Sequence, residues 1–346
     1  MSAKSKRFFK KAISWAGVFF FVIAAGMLYW QLRKYSLYDI ARALWHIPFQ
    51  NLVYASLACF GGYMALSIYD YLALRYVGQT HRVSWWKWMM AGIIGFAISN
   101  NAGHAVVSGG TIRYRLYTRW RIRGGDIVKM LTFSGFTYFL GCCAIVIGGY
   151  FLVPHELFNQ SVGASIGIHG LFIFCCAALG AYFAMTVLFR NKTIHLGELA
   201  FKIPSTMTAT AQMLLGISDS VLAGLVLYFC LAHFVDIPFT TFIGIFVIAQ
   251  TAGVFSQVPG GIGVFETIFM IALPGVENPA TLFGALLAFR IIYYVLPLIG
   301  AGGLFFVYEN WLRARMKRWL EEAKALAQKV PHIPMPKLPI KRKAKK

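Results

Sequence analysis

Acidic residues, and charge in general, are scarce in this sequence. Of 346 residues only 12 are acidic, against 33 basic ones, and charged residues make up 13% of the chain. A soluble domain carries about 25% charged residues, so this composition argues against a cytosolic enzyme. An apolar share of 58% also excludes a disordered chain. The net charge of +21 resides in clusters between long apolar runs, which predicts a polytopic membrane protein and no nucleic-acid partner.

Motifs for metals, nucleotides and nucleophiles are missing as well. The six cysteines lie inside apolar runs without zinc-site spacing, and there is neither an HExxH pattern nor a GxxxxGK[ST] loop. The one local polar cluster is His104 beside Asn100 and Ser108. We therefore expect no cofactor, no metal and no catalytic activity, with a membrane-embedded lipid-modifying enzyme as a weaker alternative. Any transport is passive or driven by protons or the membrane potential.

Six segments have the length and apolarity of membrane spans, which need roughly 20 residues. They are 12–30, 52–74, 128–153, 168–189, 212–235 and 280–308. Two further apolar segments, 88–112 and 240–273, are interrupted by polar residues in the first and by Pro259-Gly260-Gly261 in the second.

The basic residues predict how these segments are threaded. Six lie in 113–129 and twelve follow residue 308, whereas the connections 154–167, 236–239 and 274–279 have none. The positive-inside rule places the basic connections in the cytoplasm, which requires 88–112 and 240–273 to enter and return. The predicted fold is an all-α polytopic membrane protein with six full spans and two opposed re-entrant hairpins. The basic stretch 31–50 is the exception, since this threading leaves it outside.

This threading gives three parts. Residues 1–11 form a cytoplasmic basic tail, 12–308 the membrane domain, and 309–346 a cytoplasmic amphipathic helix with a basic, Pro-rich end. The segment 36–45 has apolar residues at helical spacing and is expected to be an interfacial helix. For 309–330, attraction to an anionic leaflet is the main interpretation, and a plain solvated tail is the alternative.

The two hairpins have related sequences. Each has an Ala-Gly pair, at 102–103 and 252–253, followed by Gly-Gly at 109–110 and 260–261 and then by charge. Opposed, interrupted segments in two halves indicate an inverted repeat with a site near the membrane midplane. Close helix packing through small residues is the simpler alternative.

Three motifs carry a family resemblance: YDYLALRYVG at 69–78, SNNAG leading to SGGTIRYRLY at 99–117, and VPGGIGVFE at 258–266. Over roughly residues 36–310 the chain resembles the integral-membrane flippase part of the lysylphosphatidylglycerol synthase (multiple peptide resistance factor) family. The resemblance implies a bacterial inner-membrane protein that handles phospholipids. The family's full-length synthases also carry a cytosolic aminoacyl-transfer domain, and the segment after Tyr308 is too short for one.

Ionisable residues at membrane depth are costly and are therefore functional candidates. We expect arginine to bind a lipid phosphate, Asp70 to hold Arg113 or meet a cationic headgroup, and the other carboxylates to serve a headgroup or carry protons. The candidate lipid-binding residues are Asp70, Asn100, Asn101, Ser108, Gly109, Gly110, Arg113, Arg115, Gly260, Gly261 and Glu266, with Asp219 and Arg290 as a candidate ion or headgroup relay.

Each candidate also has a structural alternative. The arginines of 113–123 would serve only as topology signals, and Asp70 as a snorkelling helix-end residue. Asp219 and Arg290 would pair with each other or with backbone, and the polar residues at 100, 101 and 104 would hydrogen-bond the hairpin.

The predicted function is binding and translocation of a phospholipid of the anionic or aminoacylated phosphatidylglycerol class, through a charged cavity between the hairpins. A scaffold or regulator of envelope lipid assembly is the alternative. Membrane phospholipids are the expected partners, and a homo-oligomer or a separate lipid-synthesis partner is left open. The expected location is the bacterial inner membrane, with both termini cytoplasmic.

Overall fold

A computed structural model of the chain describes residues 37–102, 105–152, 162–190, 192–197, 199–256, 261–273 and 279–329. Most of them are helical. The helices are α1 Leu37–His46, α2 Phe49–Tyr76, α3 Trp85–Ala102, α4 Ala105–Arg119, α5 Gly124–Leu152, α6 Val162–Leu188, α7 Thr206–Leu231, α8 Phe239–Phe255, α9 Val264–Ala272, α10 Pro279–Arg290 and α11 Leu296–Lys329, with a 3-10 turn at Thr80–Arg82 and a π-helical turn at Ile291–Val295 between α10 and α11. The strands β1 Thr193–Leu196 and β2 Leu199–Lys202 pair antiparallel.

Five helical stretches are long and apolar enough to cross a membrane: Phe49–Tyr76, Gly124–Phe151, His169–Leu188, Thr206–Leu231 and Thr281–Ala323. They coincide with five of the six predicted spans, so the chain is a multi-pass membrane protein. The sixth predicted span, 12–30, lies outside the described residues, as do the predicted basic tail 1–11 and the end of the chain after residue 329.

The core of the bundle forms where α2, α5 and α7 pack together. Helices α5 and α7 cross at two glycines, and a Cβ atom built on Gly216 would lie 2.9 Å from the Gly141 Cα atom. Small residues at such crossings let helix backbones approach closely inside a membrane, where packing and not the hydrophobic effect drives association. The close crossing brings the polar side chains of α7 within reach of those on α2 and α5.

Both interrupted segments fold as antiparallel helical pairs. In the first, α3 packs on α4, with Gly95 beside Arg113 and Ser99 beside Gly109. From the first pair to the second, the residue number rises by four on α3 and falls by four on α4, so the two helices run antiparallel. The reversal itself, at 103–104, lies outside the described residues.

The second pair consists of α8 and α9. The ring centroids of Phe242 and Phe269 are 5.7 Å apart, as are those of Phe246 and Phe265. This register is again antiparallel, and residues 257–260, between the two helices, lie outside the described residues. The structure thus contains two helical hairpins at the predicted places, and their entry into the membrane from opposite faces stays a prediction.

The predicted interfacial helix 36–45 corresponds to α1, which packs against α10. The chain divides into two compact units, residues 1–301 and 302–346. In the second unit the described residues are the later part of α11, where Trp311, Met316 and Trp319 are exposed among basic residues. This part covers residues 309–329 of the predicted amphipathic segment 309–330.

Candidate functional site

The first buried charge pair joins α2 to the second arm of the first hairpin. Asp70 and Arg113 are 2% and 5% exposed, and Arg113 Nε lies 3.1 Å from Asp70 Oδ1 and 3.2 Å from Oδ2. The Tyr117 hydroxyl donates a 2.8 Å hydrogen bond to Asp70 Oδ2. Because Tyr117 follows Arg113 by four residues, one face of α4 supplies both donors. A carboxylate this deeply buried does not reach water, so Asp70 is not a snorkelling residue.

Helix α3 supplies the surface on which the Arg113 guanidinium lies. Its Cζ atom is 3.9 Å from the centroid of the Phe96 ring, which is a cation–π arrangement. A Cβ atom on the adjacent Gly95 would lie 2.8 Å from Arg113 Nε. The missing side chain at position 95 therefore makes the space that the guanidinium occupies.

One donor of this guanidinium remains unused. Arg113 Nη2 is buried and has no hydrogen-bond partner within the described ranges. Leaving such a donor unsatisfied costs at least about 1–3 kcal/mol, and most buried polar groups in proteins have a partner. Because the two terminal nitrogens of arginine match the oxygens of a phosphate, a phosphate ester is a chemically suitable partner for Nη2.

The glycines of the first hairpin have a packing role in the structure. A Cβ atom on Gly109 would collide with the Ser99 hydroxyl and the Gly95 carbonyl oxygen, and one on Gly110 would lie 3.2 Å from Leu131. This geometry fits the simpler alternative of close packing through small residues. The Ser108 and His104 side chains, which were candidates beside these glycines, lie outside the described set.

The other polar candidates of the first hairpin differ in their surroundings. Asn101 Nδ2 donates to the Ala97 carbonyl at 2.8 Å and to the Tyr294 carbonyl at 3.2 Å, so it ties the hairpin to the π-helical turn. Asn100 lies beside the Tyr63 hydroxyl. Arg115, predicted as a second phosphate ligand, is exposed, whereas Arg113 is buried.

The second buried charge pair links the second hairpin to α10. Arg290 Nε donates to Glu266 Oε1 at 2.7 Å, and Arg290 Nη2 contacts the same oxygen. Glu266 is 2% exposed. Arg290 therefore pairs with Glu266, and the alternative that it pairs with Asp219 is wrong. A π-helical turn follows Arg290 directly, and such turns occur frequently at functional sites.

Glycine positions Glu266 at the start of α9. The Gly263 N–H donates to Glu266 Oε2 at 2.6 Å, and Gly261 and Gly263 have φ angles of 63° and 88°. These left-handed conformations are open to glycine at little cost. One carboxylate oxygen of Glu266 thus accepts a hydrogen bond from the backbone, and the other pairs with Arg290. Gly260, the fourth glycine predicted to contact lipid, lies outside the described residues.

Asp219 of α7 forms a third buried polar centre, and no basic side chain of the described ranges pairs with it. It is 4% exposed, and the Tyr69 hydroxyl donates to its Oδ2 atom at 3.2 Å. Its Oδ1 atom has no hydrogen-bond partner in the described part of the chain. Tyr69 and Asp70 are consecutive on α2, so this helix contacts two of the three carboxylate centres.

Further polar side chains surround this centre. The buried hydroxyls of Tyr138, Ser220 and Thr251 all lie within hydrogen-bonding reach of the Cys142 thiol, and Asp219 lies close to the same thiol. Helices α5, α7 and α8 therefore bring buried polar groups together next to Asp219.

Sequence reasoning missed several of these residues. Tyr117 could have been found from its spacing of four residues after Arg113. Tyr69, Phe96 and Tyr138 gave no signal, because aromatic residues are frequent throughout the chain. In the described ranges no group of three His, Cys, Asp or Glu side chains is arranged to hold a metal.

Comparison with known proteins shows the family to which this sequence belongs. Residues 15–301 match the family profile described as the lysylphosphatidylglycerol synthase TM region. An uncharacterized protein of Synechocystis sp. is 32% identical over 287 residues, which cover 82% of this chain and 87% of that one. The inner membrane protein YbhN of Escherichia coli is 28% identical over 299 residues, covering 85% and 90% of the two chains.

The similarity to full synthases is more limited. The phosphatidylglycerol lysyltransferase of Staphylococcus xylosus is 35% identical over 106 residues, which cover 30% of this chain and 12% of that protein. The shared part is thus a small fraction of the lysyltransferase.

Proposed function

Because the chain belongs to the family of the lysylphosphatidylglycerol synthase transmembrane region, we propose that it binds phospholipid and moves it across the bacterial inner membrane. The substrate class is anionic or aminoacylated phosphatidylglycerol. One observation carries the proposal: a buried arginine, Arg113, is fixed by Asp70 and Phe96, and its Nη2 nitrogen has no hydrogen-bond partner among the described residues.

The fixed guanidinium suits a phosphate for a physical reason. Asp70 occupies Nε and the Phe96 ring covers one face, so the Nη2 side is what remains for a ligand. Desolvation strengthens a charge-assisted hydrogen bond of this kind. A lipid phosphate bound there replaces its hydration with protein donors, which lowers the cost of moving a headgroup through the membrane interior. The acyl chains remain in the surrounding lipid.

The other two carboxylates serve the cationic or neutral part of the headgroup. Glu266 is compensated by Arg290, whereas Asp219 has a free oxygen and no basic partner in the described structure. Asp219 is therefore the relay position, where an ammonium group or a proton balances the carboxylate during passage. Asn101 connects the first hairpin to the turn that follows Arg290, which gives the two hairpins a mechanical link.

The test is transfer of fluorescent phosphatidylglycerol in proteoliposomes that contain the purified full chain. Arg113→Ala alone leaves the Asp70 carboxylate buried without its cation, so the informative variant is the neutral pair Asp70→Asn with Arg113→Gln. We expect this pair to fold and to lose transfer. Arg115→Gln is the matched control, because Arg115 lies two residues away and is exposed. Transfer by the neutral pair at the wild-type rate would refute the proposal.

A second candidate function is that of a scaffold or regulator of envelope lipid assembly. The observation that favours it is the exposed Trp311, Met316 and Trp319 among basic residues of α11, a pattern that suits an anionic membrane surface or partner. Deletion of 313–346 separates the two functions. The scaffold function is supported if the deletion alone reproduces the phenotype of a null strain. It is contradicted if the truncated protein still transfers phospholipid and the cells keep the wild-type phenotype.

A further inference from the structure

Two adjoining cavities lie where α2 ends and α7 begins. None of their lining residues belongs to either helical hairpin. The larger, about 510 Å³, lies between α5, α6 and the β1–β2 hairpin. The smaller, about 270 Å³, lies between the last turn of α2 and the first turns of α7. Tyr76, Lys202, Ile203 and Pro204 border both. The pair therefore forms two compartments on either side of a common wall.

The wall is held in place by Tyr76. Its hydroxyl donates a 2.6 Å hydrogen bond to the Lys202 carbonyl oxygen, and its ring stacks on Phe133 with centroids 4.7 Å apart. These contacts connect α2, α5 and β2. The β1–β2 hairpin, which contributes Ile194 and Phe201 to the lining of the larger cavity, is thereby fixed against the helices.

The larger cavity, which we call the apolar compartment, suits a hydrocarbon chain. Phe133, Phe136 and Met185 contribute to its lining. Its fully buried polar residue, Gln212, already has partners: Nε2 donates to the Phe133 carbonyl at 3.2 Å, and Oε1 accepts from the Tyr182 hydroxyl at 2.7 Å. Because that amide is satisfied, it needs no polar group from a ligand. The volume lies within the usual range of roughly 300–1,000 Å³ for small-molecule sites.

The smaller cavity, which we call the basic compartment, suits an anion. Arg75 and Lys202 line it together with Ser205 and Thr208, whose hydroxyls hydrogen-bond each other at 3.0 Å. Neither basic side chain lies within salt-bridge distance of a carboxylate in the described parts of the chain. An uncompensated pair of cations beside an apolar chamber matches a molecule that has an anionic head and a hydrocarbon tail.

We propose that these compartments form a binding site for an anionic phospholipid, separate from the Asp70–Arg113 centre. One acyl chain fills the apolar compartment, and the phosphate lies in the basic compartment between Arg75 and Lys202. A phospholipid is favoured over a soluble amphiphile because the four helices that line the site, α2, α5, α6 and α7, all contain a stretch long enough to span the membrane. The site lies at their ends, where headgroups are found. Binding here does not depend on translocation.

The experiment measures retention of added phosphatidylglycerol by the purified full chain in detergent, with native mass spectrometry. Phosphatidylcholine and inorganic phosphate are the comparison probes. The double variant that combines Arg75→Ala with Lys202→Ala loses two charge-assisted contacts. It should therefore bind phosphatidylglycerol about tenfold or more weakly. The control Arg190→Ala with Lys192→Ala removes two basic residues of the same connection that line neither cavity, and it should bind as the wild type does.

A second variant tests the apolar compartment. Thr132→Phe adds a ring to its lining and should weaken retention of phosphatidylglycerol while Arg75 and Lys202 are intact. In the background of the neutral variant of Asp70 and Arg113, combining Arg75→Ala with Lys202→Ala should still weaken retention of phosphatidylglycerol by the same factor, so failure of one proposal does not decide the other. The proposal is overturned if phosphatidylcholine binds equally well, if inorganic phosphate displaces the lipid from its site, or if neither cavity variant changes retention.

Discussion

The Asp70–Arg113 pair allows a quantitative prediction about stability. Both side chains are almost fully buried, and Nε lies 3.1 Å from the nearest carboxylate oxygen. Removing one partner of a buried ion pair leaves the other charge uncompensated and costs about 3–5 kcal/mol. We expect this cost for Asp70→Ala and for Arg113→Ala separately. The double substitution should cost clearly less than the sum of the two, because it leaves no isolated charge.

The protein contains its own control for this cycle. Lys129 Nζ lies 3.6 Å from Asp126 Oδ1, but the two side chains are 23% and 19% exposed. A pair this accessible to solvent contributes about 0–1 kcal/mol. The same double-mutant cycle on Asp126 and Lys129 should therefore give a coupling energy several times smaller than that of Asp70 and Arg113.

Reversible unfolding in detergent micelles, followed by circular dichroism, measures both cycles. The reasoning is refuted if the coupling energy of Asp70 with Arg113 does not exceed that of Asp126 with Lys129. A Tyr117→Phe variant gives an internal check. It removes one hydrogen bond to a charged acceptor and should cost about 1.5–3 kcal/mol, less than the loss of Arg113.

The remaining predictions concern glycine packing and the other carboxylates. Gly109→Ala places a methyl group against Ser99 and the hairpin backbone and should lower the unfolding temperature, whereas Gly135→Ala, with open space around it, should not; equal thermal shifts would contradict the packing role. Asp219→Asn should keep stability within about 1 kcal/mol, because Oδ1 accepts no hydrogen bond from any residue that the structure describes. It should nevertheless reduce lipid transfer, and unchanged transfer would remove Asp219 from the relay. Glu266→Ala should lower the free energy of unfolding by about 3–5 kcal/mol, because Arg290 loses its counter-charge. A negligible shift of the unfolding temperature would contradict this prediction.

The helical segments were largely predictable because hydrophobic length is a strong one-dimensional signal. The predicted span 52–74 corresponds to Phe49–Tyr76, and both interrupted segments form helical hairpins. The two hairpins were predictable from the placement of basic residues and glycines along the chain, and neither feature depends on long-range contacts.

The pairing of side chains was less predictable, since sequence does not fix how helices rotate about their axes. Arg290 was considered as a partner of Asp219, but it faces Glu266, a contact that depends on how α9 and α10 pack. Of two arginines in one motif, Arg113 is buried and Arg115 is exposed, because two positions along a helix differ by about 200° in direction.

The β1–β2 hairpin was missed for a different reason. Each strand has only four residues, too few to show alternation above chance. The connection between α6 and α7 therefore carried no strand signal, although its hairpin forms part of the wall of the two compartments at the end of the bundle.

The central claim is that Arg113 contacts a lipid phosphate inside the first hairpin. Dipolar-recoupling solid-state NMR between arginine guanidinium nitrogens and the phosphorus of phosphatidylglycerol tests it directly, in bilayers with the full chain. We predict a nitrogen–phosphorus contact that is present in the wild type and in Arg115→Gln, and absent when Asp70→Asn and Arg113→Gln are combined. An identical spectrum for the wild type and the combined variant would contradict the account.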